Sequence, residues 1–321
     1  MIPTTFRLLV KSLRFEIAAV LVGALLLAGA ALVVTAHLNS LGMPRDCLYE
    51  VSGPPPVEPT AEQAAHDAAC GAKRQTFYIL VNEEADRVFA LMAVFPIGGG
   101  LIVGVPLVAR EIEWGTAPLA WTLARSRRRW LVGRAVPLGV VLAVVLAAPA
   151  FSGQLLEGAA EPSLDPGASF QDFGLRGAPL IGLGVLSYGV AVAIGTAMGR
   201  QLPALIVAGC MAVGLLVVSD GALRTLGRGF TSVVDASTVE VPLGSFVVDE
   251  QIRDPDGVLH PIVNSATYVG DGPPGGGTYV WLLLPGDRYP AVASVFSGVL
   301  AAVALGLVGA SAEIIERRRA S

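Results

Sequence analysis

Glu111 and Glu113, followed at once by Gly115-Thr116, form an acidic pair wedged between two long apolar runs. Arg110 precedes them, and Arg125, Arg127, Arg128, Arg129 and Arg134 come after. Carboxylates and guanidinium groups make charge-assisted hydrogen bonds, the shorter and stronger kind. A glycine lets the backbone turn where other residues resist, so Gly115 is the natural break after the pair. The run before it, Val88 to Ala109, carries no charge. A polar loop of this kind cannot lie exposed in lipid; it faces water or a protein partner. Its chemistry is recognition. Arg110, Glu111, Glu113, Gly115 and Thr116 are the candidate docking residues, and nothing around them suggests catalysis.

The elements that must hold this segment follow from composition. The chain is 53% hydrophobic and only 15% charged, with a mean hydropathy of +0.64. Charge depletion on that scale marks a polytopic membrane protein. Six apolar segments approach the ~20 residues a helix needs to cross a bilayer. They are Ile17 to Ala36, Val88 to Ala109, Leu131 to Phe151, Ala178 to Met198, Leu202 to Ser219 and Tyr289 to Ala312. The expected fold is therefore an all-α polytopic membrane protein with six transmembrane helices. Residues 17–321 form the six-span domain, with 110–130 as a cytoplasmic loop. Residues 37–87 and 220–288 form extracytoplasmic loops that pack together as a small α+β cap.

Orientation follows from the positive charges. Arg7, Lys11, Arg14, the arginines of the 110–134 region, Arg200 and Arg317 to Arg319 all fall in short segments on one side. Lys and Arg density in short loops sets topology, so that side is cytoplasmic and both termini lie inside. The acidic residues gather in the long outer loops, and the net charge of −4 averages two unlike faces. It implies no nucleic-acid partner. Residues 1–16 read as an amphipathic helix at the inner interface, with Phe6, Leu9, Val10 and Leu13 opposite Arg7, Lys11 and Arg14. A plain positive flank explains them equally well. Arg127, Arg128 and Arg129 are further interface cations. The first span reads as an uncleaved anchor in a cell inner membrane.

In the outer loops, Thr60-Ala-Glu-Gln63 opens an Ala-rich helix ending near Cys70. Runs from Phe246 to Ile252 and Val258 to Val263 flank Asp256-Gly257, a hairpin signal. Thr278 to Leu284 is another strand-like run. Cys47 and Cys70 share one outer loop and read as a disulfide, the alternative being two free thiols. Cys210 reads as a small apolar packer. Gly100 and Gly104, and Gly195 and Gly199, have the four-residue spacing of close helix approach.

Several functions are disfavoured. The sequence has no G-x-x-x-x-G-K-[ST] phosphate loop and no H-E-x-x-H metal motif,. Asp254, Asp256 and His260 read as a turn and not as a metal site. The six segments hold no Asp, Glu or Lys, and an ion-coupled carrier or intramembrane hydrolase generally needs such groups.

The run VPLVAREIEWGTAPLAWTLARSRRRWLVGR resembles the cytoplasmic loop of ABC exporter permeases of the second type, with its ARE-x-E-x-GT core, Trp-Thr and arginine-rich return. AVAIGTAMGRQLPALIVAG is similar to the family's tight inner turn at Gly199-Arg200-Gln201, and LLLPGDRYPAV, with Pro285, Arg288 and Tyr289, to an actinobacterial variant of its last span. The chain departs from the pattern at Trp114 and at Arg125-Ser126-Arg127. The resemblance implies a permease subunit that pairs with a second permease copy or paralogue and couples to a separate ABC ATPase chain. ATP and Mg would belong to that partner, with no cofactor on this chain. Arg110, Glu111, Glu113, Gly115 and Thr116 would then fall in the segment that docks on the ATPase. Apolar spans favour export of a hydrophobic or amphiphilic compound. A membrane scaffold or sensor and an ion-coupled carrier are the alternative readings.

Overall fold

A computed structural model of the chain describes residues 12–43, 47, 61–124, 126–236, 241–261 and 277–317. The elements are α1 (Arg14–Ser40), α2 (Ala61–Leu80), a π-helical turn (Val81–Ala85), α3 (Asp86–Glu113), α4 (Ala117–Leu123), α5 (Arg127–Ala160), α6 (Gly177–Met198), α7 (Gln201–Gly227), and α8 (Tyr289–Arg317). Four strands, β1 (Ser232–Asp235), β2 (Phe246–Arg253), β3 (Leu259–Pro261) and β4 (Thr278–Leu284), lie between α7 and α8.

Among the described residues, five helices are long and apolar enough to cross a membrane: Arg14–Ser40, Ala68–Glu113, Arg127–Ala160, Gly177–Met198 and Gly286–Arg317. The fifth apolar segment of the sequence lies in α7, a helix of 27 residues that is apolar along Gln201–Met211. Large apolar side chains such as Leu26, Val33, Val144 and Leu202 point outward from the helices. In water such a surface would be costly; against acyl chains it costs nothing.

α6 is the central helix, packed chiefly on α3 and α8 and also on α5 and α7. Small residues make this possible. A Cβ added to Gly100 of α3 would lie 2.7 Å from the carbonyl oxygen of Gly184, and one on Gly189 would lie 2.8 Å from Cα of Ala304 in α8. Gly195 faces Val105 in the same way. Gly199 differs from these: at φ 65 it is the left-handed residue that ends α6,. Ser187 donates to the Ile97 carbonyl at 2.8 Å and Tyr188 to the Ala135 carbonyl at 2.8 Å, pinning α6 to α3 and α5.

Three expectations change here. The helix opened at Ala61 runs past Cys70 to Leu80 and, through the π turn, continues into α3. The polar Asn82-Glu83-Glu84 stretch reads as loop, yet a helix projecting into water keeps its polar residues without breaking. The sheet also has a neighbour that the sequence does not suggest. The antiparallel sheet, in the order β1-β4-β2-β3, meets segment 161–176: Phe170 donates its N–H to Gly244 O at 2.8 Å. A Cβ on Gly244 would lie 2.8 Å from Ala168 O. Segment 161–176 thus packs against the approach to β2. Cys210, finally, is exposed on α7 and does not fill the core.

The hairpin at Asp256-Gly257 connects β2 to β3, with Gly257 at φ 84. His260 Nε2 lies 2.7 Å from Asp254 Oδ2 across it. Among the described residues no cluster of three or more His, Cys, Asp or Glu could hold a metal ion. Cys47 and Cys70 are joined as a disulfide, with a Cα–Cα distance of 5.2 Å.

Candidate functional site

The Arg110–Thr116 segment begins on the last turn of α3, where Arg110, Glu111 and Glu113 are still helical. The helix then closes in a Schellman ending. Gly115, at φ 70, donates to Ile112 O at 3.1 Å, and the Thr116 N–H donates to Glu111 O at 3.0 Å. These are the two bonds that satisfy the orphan carbonyls of a helix end. The Thr116 hydroxyl adds a third, to the same Glu111 oxygen at 3.2 Å. The Gly-Thr pair is therefore a helix stop. The chain then folds into α4 and reaches α5, whose first turn is capped by Ser126, accepting from the Arg129 N–H at 3.2 Å.

The charged side chains turn toward neighbouring helices. Arg110 pairs with Glu16 at the start of α1 and donates to Ser12 O at 3.0 Å. Glu111 pairs with Arg134 of α5, both about four-fifths buried. Glu113 Oε2 accepts the backbone N–H of Gln201, the first residue of α7, at 2.9 Å. One turn of α3 thus holds α1, α5 and α7. Beside it a cavity of about 450 Å³ is bordered by Arg14, Glu16, Arg110, Trp114 and Gln201. Arg110 Nε and Glu16 Oε2, both buried, have no hydrogen-bond partner among the described residues.

Two large apolar side chains face outward beside the stop. Trp114 is 68% exposed and Leu119 66%. Arg110 stands 5.6 Å from the Trp114 ring. Trp121 and Trp130 meet edge to face at 6.4 Å, with Arg127 over the first and Arg134 over the second, each at 4.7 Å. This stack fixes α4 on α5. Arg127 also reaches Ile315 O in α8 at 3.5 Å. Arg128 and Arg129 are exposed, as is Arg14 at the start of α1. Arg7, Lys11 and Arg125 lie outside the described residues.

A second polar centre, at the opposite end of the helices, has no counterpart among the sequence motifs. Arg176, the N-cap residue of α6, is fully buried. It donates to Pro166 O at 2.6 Å, Ser169 O at 2.8 Å and Gln171 O at 3.0 Å. Its guanidinium lies 4.0 Å from the equally buried Glu157 of α5 and 4.9 Å from the Tyr289 ring of α8. Asp172 approaches Glu157 as well, from a backbone at φ 50. In segment 161–176, burial raises the Glu161 carboxyl above its usual range; a Gln171 hydrogen bond opposes this and Asp172 adds to it. A lone arginine before an apolar run looks like a topology charge, so the sequence offers no signal for this centre. Its bonds fold the connecting segment onto three helices.

The family model described as ABC-2 membrane transporter related matches residues 17–224. No curated protein and no solved structure gives a significant match. The chain belongs to the ABC-2 membrane transporter related family, and the matched span includes both the α3 stop and the α6–α7 turn.

Proposed function

We propose that, as a member of this family, the chain is the permease subunit of an ATP-driven exporter. It crosses the membrane six times, with α7 as the fifth span and both termini cytoplasmic. It pairs with a second permease subunit to form the path, and a separate ATPase chain supplies the energy. The substrate class that fits is hydrophobic or amphiphilic, since the spans offer little polar coordination.

One observation carries this reading: the α3 stop ties α1, α5 and α7 together with charged side chains while presenting Trp114 and Leu119 outward. The division of labour is then clear. Trp114, Gly115, Thr116 and Leu119 meet the ATPase, and Arg110, Glu111 and Glu113 pass its movement to three helices. The carboxylates act inside the permease, a different role from the direct docking the motif alone suggests. The cavity beside Arg110 is suited to a polar partner side chain.

The test is co-purification of the full chain with its ATPase, with ATP turnover measured in reconstituted membranes. Trp114→Ala with Leu119→Asp is expected to leave the permease inserted and its thermal stability unchanged, but to abolish capture of the ATPase. Undiminished capture and turnover would remove the docking assignment. Topology is checked in a Cys210→Ala background, because that thiol is exposed. A cysteine at Val258 should react with an impermeant thiol reagent added outside, and one at Arg128 should not.

A further inference from the structure

A lateral groove of about 430 Å³ runs between α5, α6 and α8. Its size lies in the ~300–1,000 Å³ range of small-molecule sites. The walls are built of small residues, among them Ala135, Gly139, Gly182, Gly298 and Ala301. A Cβ built on Gly298 meets nothing within 4 Å, so no neighbouring helix closes the gap there.

The groove offers no free side-chain hydrogen-bond donor. Its polar side chains are Tyr188 and Ser297. Tyr188 spends its proton on Ala135 O at 2.8 Å and Ser297 on Ala293 O at 2.6 Å. An occupant must therefore be hydrocarbon along the groove and carry its polar part beyond the end, because an unpaired polar atom inside would be costly.

The α5 sequence supplies what lies beyond. Val136, Val132 and Arg129 succeed one another at helical spacing on one face,. Arg129 stands roughly 10 Å past Val136 along the axis, within reach of a headgroup whose chain lies in the groove. Arg128 and Arg129 are exposed, and neither forms an ion pair among the described residues. We propose that the groove holds an acyl chain of an anionic phospholipid whose phosphate rests on Arg128 and Arg129. The site rests on the membrane placement of these helices, and not on the ATPase partner. A neutral apolar compound would gain nothing from the two arginines.

The experiment uses full-length protein in neutral detergent, titrated with phosphatidylglycerol or phosphatidylcholine of matched chains. Bound lipid is counted by native mass spectrometry, and the thermal midpoint and oligomeric state are followed in parallel. Phosphatidylglycerol is expected to bind on the order of tenfold more tightly, two exposed arginines being the difference. Gly298→Leu should remove binding of both lipids by filling the gap. Arg128→Gln with Arg129→Gln should make the two lipids equal while some binding of each persists. If Gly298→Leu does not fold, the surface double variant decides alone. Equal affinity of the two lipids for the unaltered protein would overturn the proposal. So would a preference that survives the double arginine variant, or a Gly298→Leu that changes the oligomer and leaves lipid binding intact, which would assign the groove to a second copy. Loss of ATPase capture with lipid binding retained would strike the functional reading and leave this site standing.

Discussion

The Glu113 carboxylate caps α7 from outside: its Oε2 accepts the Gln201 N–H at 2.9 Å, while the N-cap residue Arg200 makes no capping bond of its own. A negative group there also meets the positive end of the helix dipole. Because α6 and α7 are separated only by Gly199 and Arg200, this single bond fastens the end of α3 to the junction of two spans. Glu111, two residues earlier, reaches the opposite way, to Arg134. The acidic pair therefore braces two different parts of the bundle.

Exchanging the ion pair tests that brace. Glu111→Gln or Arg134→Gln alone should cost about 1–3 kcal/mol, the worth of a hydrogen bond to a charged group with its partner left behind. Glu111→Arg combined with Arg134→Glu should recover at least half of the loss. Thermal unfolding in detergent, run as a double-mutant cycle, reads the coupling. Purely additive single losses would mean the pair contributes nothing to the fold.

Gly115→Ala should destabilise by about 1–2 kcal/mol, the cost of a left-handed conformation for a residue with a Cβ. An added Cβ meets no atom within 4 Å, so the effect is conformational and not a clash. Gly115→Asn should cost less, since asparagine tolerates this region. Equal losses for the two variants would contradict the Schellman geometry.

At the far end, Arg176→Met should cost about 3–5 kcal/mol, because it leaves Glu157 buried without its counter-charge. Arg176→Met with Glu157→Met should be milder, since the buried carboxyl leaves with its partner, but not neutral, because the Pro166, Ser169 and Gln171 carbonyls still lose their donor,. Unfolding midpoints of the single and double variants measure the difference. A double variant as damaged as the single would place the effect in the backbone bonds of Arg176 alone.

The raised Glu161 carboxyl gives a pH dependence of defined sign. The folded chain holds this proton more tightly than the unfolded one, so the contribution is full below the ordinary glutamate range near 4.3. It fades as pH rises through the folded value. Its cause is burial first, with Asp172 reinforcing and Gln171 opposing. The thermal midpoint of Glu161→Gln, relative to the unaltered chain, should therefore rise between pH 5 and pH 8. A difference that stays constant with pH would show that Glu161 does not titrate differently on folding.

What depends on composition is legible in the sequence, and what depends on which way a side chain turns is not. The apolar runs locate the spans because lipid requires length above all, and Thr278 to Leu284 marks β4 to the residue. Cys210 defeats the same logic: a span that meets lipid outside and protein inside is apolar all round, and periodicity cannot tell the faces apart. Gly115-Thr116 announces a helix stop. That Glu111 and Glu113 point back into the bundle is not legible, since their partners Arg134 and Gln201 are 23 and 88 residues away. Arg176 and Glu157 stay hidden because a buried charge and a surface charge are spelled alike.

The unbroken helix from Ala68 to Glu113, 46 residues long, spans about 70 Å at the usual rise per residue. That exceeds twice the ~30 Å of hydrocarbon it has to cross. Pivoting within a bilayer, such a rod would act as a lever with its short arm at the braced stop. With the pivot at the middle of the hydrocarbon, about 15 Å from the stop, a rotation of about 5° would carry the far tip by roughly 5 Å. The far arm is tethered, by the Cys47–Cys70 bridge and by Arg74 donating to Cys47 O at 2.9 Å. The π turn at Val81–Ala85 interrupts the regular hydrogen-bond ladder of that arm,. Shape alone would thus convert a small push on one face of the membrane into a several-fold larger stroke on the other.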